Sequence, residues 1–161
     1  MFDIAFITGL VADFGYLGVF IGSLLSSMTL FFPVPSFIFV VSAGALLDPL
    51  WVGIAAGLGA AIGELIGYPI GRGISYGLKK QKAGSKNKKI SAFIEKWFAR
   101  KLGWLVIFLF AVSPLPDDFV VIFCGIIKYD IKKMFIPLLA GKIIFSLALA
   151  YAGHYGLQFI L

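Results

Sequence analysis

PVPSFIFVVSAG at residues 33–44 and PLPDDFVVIFCG at residues 114–125 are two copies of one pattern. In each, a pair of prolines flanks one residue and a glycine closes the segment. Both copies lie in stretches too apolar to face water. Proline removes a helix hydrogen bond and clashes with the preceding turn, so Pro33, Pro35, Pro114 and Pro116 interrupt helices where a plain membrane span would run on. Paired interruptions in corresponding positions of two halves point to a transport site near the bilayer midplane.

Composition supports a membrane setting. Of 161 residues, 60% are hydrophobic and 14% charged, against about 45–50% and about 25% in a soluble domain. The first basic residue is Arg72, so no positive n-region precedes the first apolar segment and a cleaved signal peptide is not expected. Phe14 to Leu47 holds no charged residue. That run exceeds one span of about 20 residues and barely falls short of two. It fits a hairpin turning at 33–36, or one span ending near Phe32 followed by a half-helix.

From Trp51 to about Gly77 the reading is one long helix rich in small residues, with Gly59, Gly63 and Gly67 on one face for close helix packing. Lys79, Lys80, Lys82, Lys86, Lys88 and Lys89 carry much of the net charge of +6. Set between membrane segments, they suit a cytoplasmic loop near anionic headgroups rather than nucleic acid. Residues 2–13 and 90–101 read as interfacial helices, the second with Trp97 and Phe98 on its apolar stripe. Trp104 to Val112 and Phe119 to Ile127 are arms of roughly 14 Å, too short for a core of about 30 Å. A last helix covers about 131–157.

The expected fold is an all-α integral membrane protein in one domain, with residues 1–78 as first repeat, 79–89 as basic loop and 90–161 as second repeat. Each repeat holds an interfacial helix, a re-entrant hairpin and one long transmembrane helix. With a one-residue gap Gly59 matches Gly141, Gly71 matches Gly153 and Arg72 matches His154. Placing the lysine loop and Lys128–Lys133 in the cytoplasm makes the hairpins enter from opposite faces, an inverted repeat. The expected location is the cell membrane, multi-pass.

Charges at membrane depth cost about 2.5–3.5 kcal/mol each on insertion scales. Asp117 and Asp118 at the second tip, Lys142 in the last helix and Glu64 in the glycine-rich helix are therefore expected to converge where the tips meet. Adjacent carboxylates in a low dielectric repel, which makes the pair responsive to protons. Lys142 can neutralise a carboxylate or meet an anionic phosphate headgroup. The plainer readings are a static buried ion pair and an aspartate capping the returning arm. Arg72, Tyr68 and His154 read as interfacial residues near headgroups. Ser26, Ser27 and Thr29 line a path or bond to their own helix. The lone Cys124 reads as core packing and the lone His154 lacks partners for a metal site, so neither a metal nor another cofactor is expected. No HExxH, P-loop or dinucleotide motif appears, and an enzyme is not expected.

GAAIGELIGYPIGRGISYG at residues 59–77 resembles the G-x-x-x-G-[DE]-x-x-x-Y-x-x-G-R segment of the DedA superfamily, also called the VTT or SNARE-associated Golgi family. The two proline-bearing segments resemble its hairpin tips, and GKIIFSLALAYAGHYG at 141–156 resembles its last helix. The resemblance covers about 14–157 and implies a membrane lipid transporter, a flippase or scramblase for phospholipid or polyprenyl-phosphate lipid, often proton-coupled. Glu64, Tyr68, Gly71 and Arg72 match position by position. The family pattern carries an acid at the first tip and arginines at the second. Here Ser36 and Phe37 stand near the first, and Ala111 and Asp117 replace the arginines. The other readings are a proton-coupled exporter of a small ion or drug, and a non-transporting assembly subunit. Small-residue faces and short arms suit a homo-oligomer.

Overall fold

The computed structural model describes residues 4–28, 34–80 and 102–160, and all its regular elements are helices. They are α1 (Ile4–Met28), α2 (Val34–Leu46), α3 (Pro49–Glu64), α4 (Gly67–Lys80), α5 (Gly103–Val112), α6 (Asp118–Ile126) and α7 (Ile131–Ile160). Pro33, the basic residues 81–89 and the helix expected over 90–101 lie outside the described residues. Lys79 and Lys80 close α4 rather than opening a loop.

Among the described residues two stretches are long and apolar enough to cross a membrane, Pro49–Tyr76 and Ile131–Gly156. At 1.5 Å per residue each extends roughly 40 Å, past a hydrocarbon core of about 30 Å. Leu46, Ile136, Trp51, Trp104 and Leu109 are each more than half exposed, a surface that lipid tails accept and water does not. The chain is thus a helical multi-pass membrane protein.

Local chemistry sets the helix ends. Asp48 caps α3, its carboxylate accepting from the Leu50 N–H at 2.9 Å, and Pro49 fills a first-turn position that needs no donor. Asp48→Ala is expected to cost about 1 kcal/mol, read as a lower melting midpoint in detergent. Asp130 does the same for α7, accepting from Lys132 N–H at 2.8 Å and Lys133 N–H at 3.3 Å. The backbone N–H groups of Lys133 and Lys132 hold its carboxyl below the ordinary value. The helix of α1 breaks at Gly15, whose φ of 54° is open to glycine. The part after the break, 16–28, rises roughly 20 Å and does not span the core alone.

The expectation of one continuous helix from Trp51 to Gly77 needs correction. The span is interrupted at Leu65–Ile66, between α3 and α4. Pro69 has no N–H to give the Leu65 carbonyl, which accepts from Tyr68 N–H at 3.2 Å instead. The turn tightens and the helix restarts at Gly67. Glu64 is the last residue before this break.

Packing follows a reciprocal pattern. α1 lies on α3, and α5 lies on α7; α2 lies on α7, and α6 lies on α4. A Cβ on Gly44 would meet the Ala150 backbone, and one on Gly153 would meet the Val41 carbonyl. A Cβ on Gly125 would meet the Tyr68 carbonyl, and one on Gly71 the Ile122 carbonyl. The two contacts correspond residue by residue: 41 and 44 against 150 and 153, 122 and 125 against 68 and 71. A Cβ on Gly59 would meet the Phe20 carbonyl, and one on Gly141 the Ala111 Cβ and the Phe108 carbonyl. α5 and α6 barely touch each other, since each is held by a span. Buried cores form around Val19, Phe39, Val52 and Ala150, and around Ile107, Val121, Met134 and Leu138.

Candidate functional site

Glu64, Asp117 and Lys142 come from three separate places in the fold: the end of α3, the turn before α6, and α7. Lys142 Nζ pairs with Glu64 Oε1 and lies 2.6 Å from Asp117 Oδ2. The side chains of Glu64, Asp117 and Lys142 are 4%, 8% and 14% exposed. Each location has a local cause. The Pro69 break ends α3 at Glu64. Pro114 and Pro116 are exposed in the turn that delivers Asp117. Asp117 holds the N-cap position of α6 by its backbone, its carbonyl accepting from Val120 and Val121 N–H, while its side chain makes no capping bond. That carboxylate turns to Lys142, so capping does not account for it.

The trio lines a cavity of about 260 Å³. Asp118 lines it too, as do Ser23, Ser26 and Ser27 of α1, Ser113 of the turn and Ser146 of α7. Phe37, Val40, Ala56, Ala60, Phe145 and Leu149 supply an apolar side, with Phe37 and Phe145 edge to face at 5.3 Å. Leu115 and Phe119 line the cavity and are also half exposed, so its rim reaches the outer surface of the bundle. Glu64 Oε2 and Ser23 Oγ are buried with no hydrogen-bond partner. Ser113 Oγ donates to the Phe110 carbonyl at 3.0 Å.

The structure thus brings Glu64, Asp117, Asp118 and Lys142 to one cavity. Pro35 lies in the first turn of α2, close to the cavity-lining Phe37. Arg72, Tyr68 and His154 stand elsewhere. Tyr68 packs against the second core and its hydroxyl donates to the Tyr129 carbonyl at 2.8 Å. Arg72 lies 6.0 Å from the Tyr68 ring centroid, and Lys128 Nζ lies 5.3 Å from that of Tyr76. His154, with Tyr151, Tyr155 and Asp48, borders a second cavity at the α2–α3 junction. Ala111 is fully buried, its Cβ close against Gly141. Ser23 and Ser146 escaped the sequence reading. Ser146 follows Lys142 by one helical turn, and Ser23 precedes Ser26 and Ser27 by one, so a shared polar face was the available signal.

Among the described residues no cluster of three or more His, Cys, Asp or Glu is arranged to hold a metal ion. Cys124 is buried in the second core. The VTT domain matches residues 34–155, which takes in the first long span, all but the last residue of the second, the turn and every charged residue of the cavity. The chain belongs to the VTT-domain family. No curated protein and no solved structure matches it. Membership places this VTT-domain protein among lipid-handling membrane transporters rather than enzymes.

Proposed function

We propose that this VTT-domain protein flips or scrambles a phospholipid or polyprenyl-phosphate lipid, its headgroup crossing through the Glu64–Asp117–Lys142 cavity while the tails stay in the bilayer. The buried trio carries the reading, because charges at membrane depth are retained where a polar substrate or ion must pass. A volume of about 260 Å³ is below the about 300–1,000 Å³ of sites that enclose a drug-sized ligand. It suits a headgroup, with the exposed rim at Leu115 and Phe119 as the exit for the tails.

In this reading α1–α2 and α5–α6 are re-entrant hairpins of an inverted repeat. The short arms and the reciprocal glycine contacts support it, since inverted halves must pack by equivalent contacts. The basic residues 79–89 and Lys128–Lys133 lie on the cytoplasmic side. Carboxylates sharing one lysine make the passage responsive to protons and give a route for coupling. The test is reconstitution in liposomes with labelled lipid. Asp117→Asn with Asp118→Asn is expected to slow crossing at least about tenfold, the worth of one charge-assisted contact. Unchanged rates would remove the cavity from the transport path. Movement of a soluble cation without lipid crossing would make the protein an ion exporter.

A further inference from the structure

We infer that Lys128 holds the phosphate of one anionic phospholipid at the rim where two long spans end, a bound lipid separate from anything that passes through the charged cavity. None of the residues involved lines that cavity, and the inference stands whether or not lipid crosses the membrane.

The backbone singles out the residue. α6 closes with the Lys128 N–H on the Gly125 carbonyl at 3.2 Å and the Tyr129 N–H on the Cys124 carbonyl at 2.9 Å. That closure puts the residue after the C-cap Ile127 in the left-handed region, where glycine is the usual occupant. Here the occupant is Lys128, with φ 58°, and it is the one non-glycine residue of positive φ among the described residues. A side chain at that angle is strained, and such strain persists where the side chain has a task. Lys128 Nζ lies 5.3 Å from the Tyr76 ring centroid. An exposed ring contact is worth no more than the strain that accompanies it. Tyr68, whose hydroxyl donates to the Tyr129 carbonyl, already ties α4 to this turn. Fastening therefore does not account for the lysine.

Placement and charge name the ligand. Tyr76 is the last residue of one long span and Ile131 the first of the other, so the Lys128 amine stands at headgroup level. Lys128, Asp130, Lys132 and Lys133 are all exposed there, a net charge of +2. The Asp130 carboxylate accepts from the Lys132 and Lys133 N–H groups, and Arg72 lies one turn before Tyr76 on α4. A net-negative headgroup is attracted to this rim, whereas a zwitterionic one brings its own cation to it. Ile74, Tyr76 and Ile131 are 43%, 62% and 44% exposed, apolar surface for acyl chains beside the amine. A free phosphate would use the lysine and leave that surface bare.

Lipid-stripped protein in detergent is titrated with phosphatidylglycerol or phosphatidylcholine, and bound lipid is counted by native mass spectrometry. Phosphatidylglycerol is expected to bind at least about tenfold tighter, the worth of one charge-assisted hydrogen bond. Lys128→Gly should remove that margin and leave the thermal midpoint of the lipid-free protein no lower, since glycine suits the backbone. Lys128→Arg should keep the margin. Lys133→Gln removes the same charge nearby without touching the turn, and should cost clearly less. Equal affinity of the unaltered protein for both lipids would overturn the inference. So would a margin that survives Lys128→Gly. An equal loss in Lys133→Gln would mean a diffuse positive surface and no site. A lower midpoint in lipid-free Lys128→Gly would show a lysine kept for fastening, and would overturn the inference too. Stabilisation by inorganic phosphate that Lys128→Gly abolishes, with no phosphatidylglycerol retained, would make a free anion the ligand and overturn the lipid.

Discussion

Lys142→Met is expected to destabilise the protein by about 3–5 kcal/mol, the usual result of stripping one partner from a buried ion pair. Methionine keeps the unbranched shape and helix preference of lysine, so packing of α7 changes little. What changes is electrostatic. Glu64 and Asp117, at 4% and 8% side-chain exposure, lose their common cation and face each other across a low dielectric. The loss should appear as a lower thermal midpoint of detergent-solubilised protein, followed by tryptophan fluorescence. Adding Glu64→Gln and Asp117→Asn removes the charges that the lysine had balanced. The triple variant should recover most of the stability, because replacing a whole buried pair is often neutral. It should not recover lipid crossing. A trio that only fastened the turn to the span would let function return with stability. An unaltered midpoint in Lys142→Met would show that water reaches the carboxylates and that the trio is not buried in the working protein.

The residues of this trio were legible as a group because cost singles them out. Each is a charge inside a long apolar stretch, and the same penalty that makes such residues rare forces them to find one another. Their grouping in one cavity thus follows from depth alone. The exact pairing does not. Asp117 and Asp118 are indistinguishable in sequence, and the turn geometry after Pro116 decides which one meets Lys142. The break at Leu65–Ile66 was missed for a different reason. Glycines at 59, 63, 67 and 71 dominate the segment and read as one packing face, which hid the single consequence of Pro69 for the Leu65 carbonyl. In sequence Tyr68 reads only as an amphipathic side chain near a span end. Its distant acceptor, the Tyr129 carbonyl, is visible only once α4 and α6 are packed.

Gly71→Leu and Gly153→Leu are expected to be the most damaging single substitutions away from the charged cavity, and to be damaging in the same way. A Cβ at Gly71 would run into the Ile122 carbonyl, and one at Gly153 into the Val41 carbonyl. In both places the obstacle is backbone, which cannot swing aside as a flexible side chain would. Relief therefore requires moving a whole helix, α6 away from α4 or α2 away from α7. Overpacking in a tight core costs about 1–3 kcal/mol and more where backbone must shift. Leucine at either site should exceed that range, seen as loss of monodisperse protein on size exclusion or a collapse of the thermal midpoint. Gly73 is the control on the same helix: a Cβ there meets nothing within 4 Å. Gly73→Leu should leave the midpoint within about 0.5 kcal/mol, as surface changes do. Equivalence of the two sites is the informative part. If Gly71→Leu unfolds the protein and Gly153→Leu is silent, the contact of α2 on α7 is not made in the folded protein. The reciprocal packing that supports an inverted repeat would then be lost, even though the ion-paired cavity could remain.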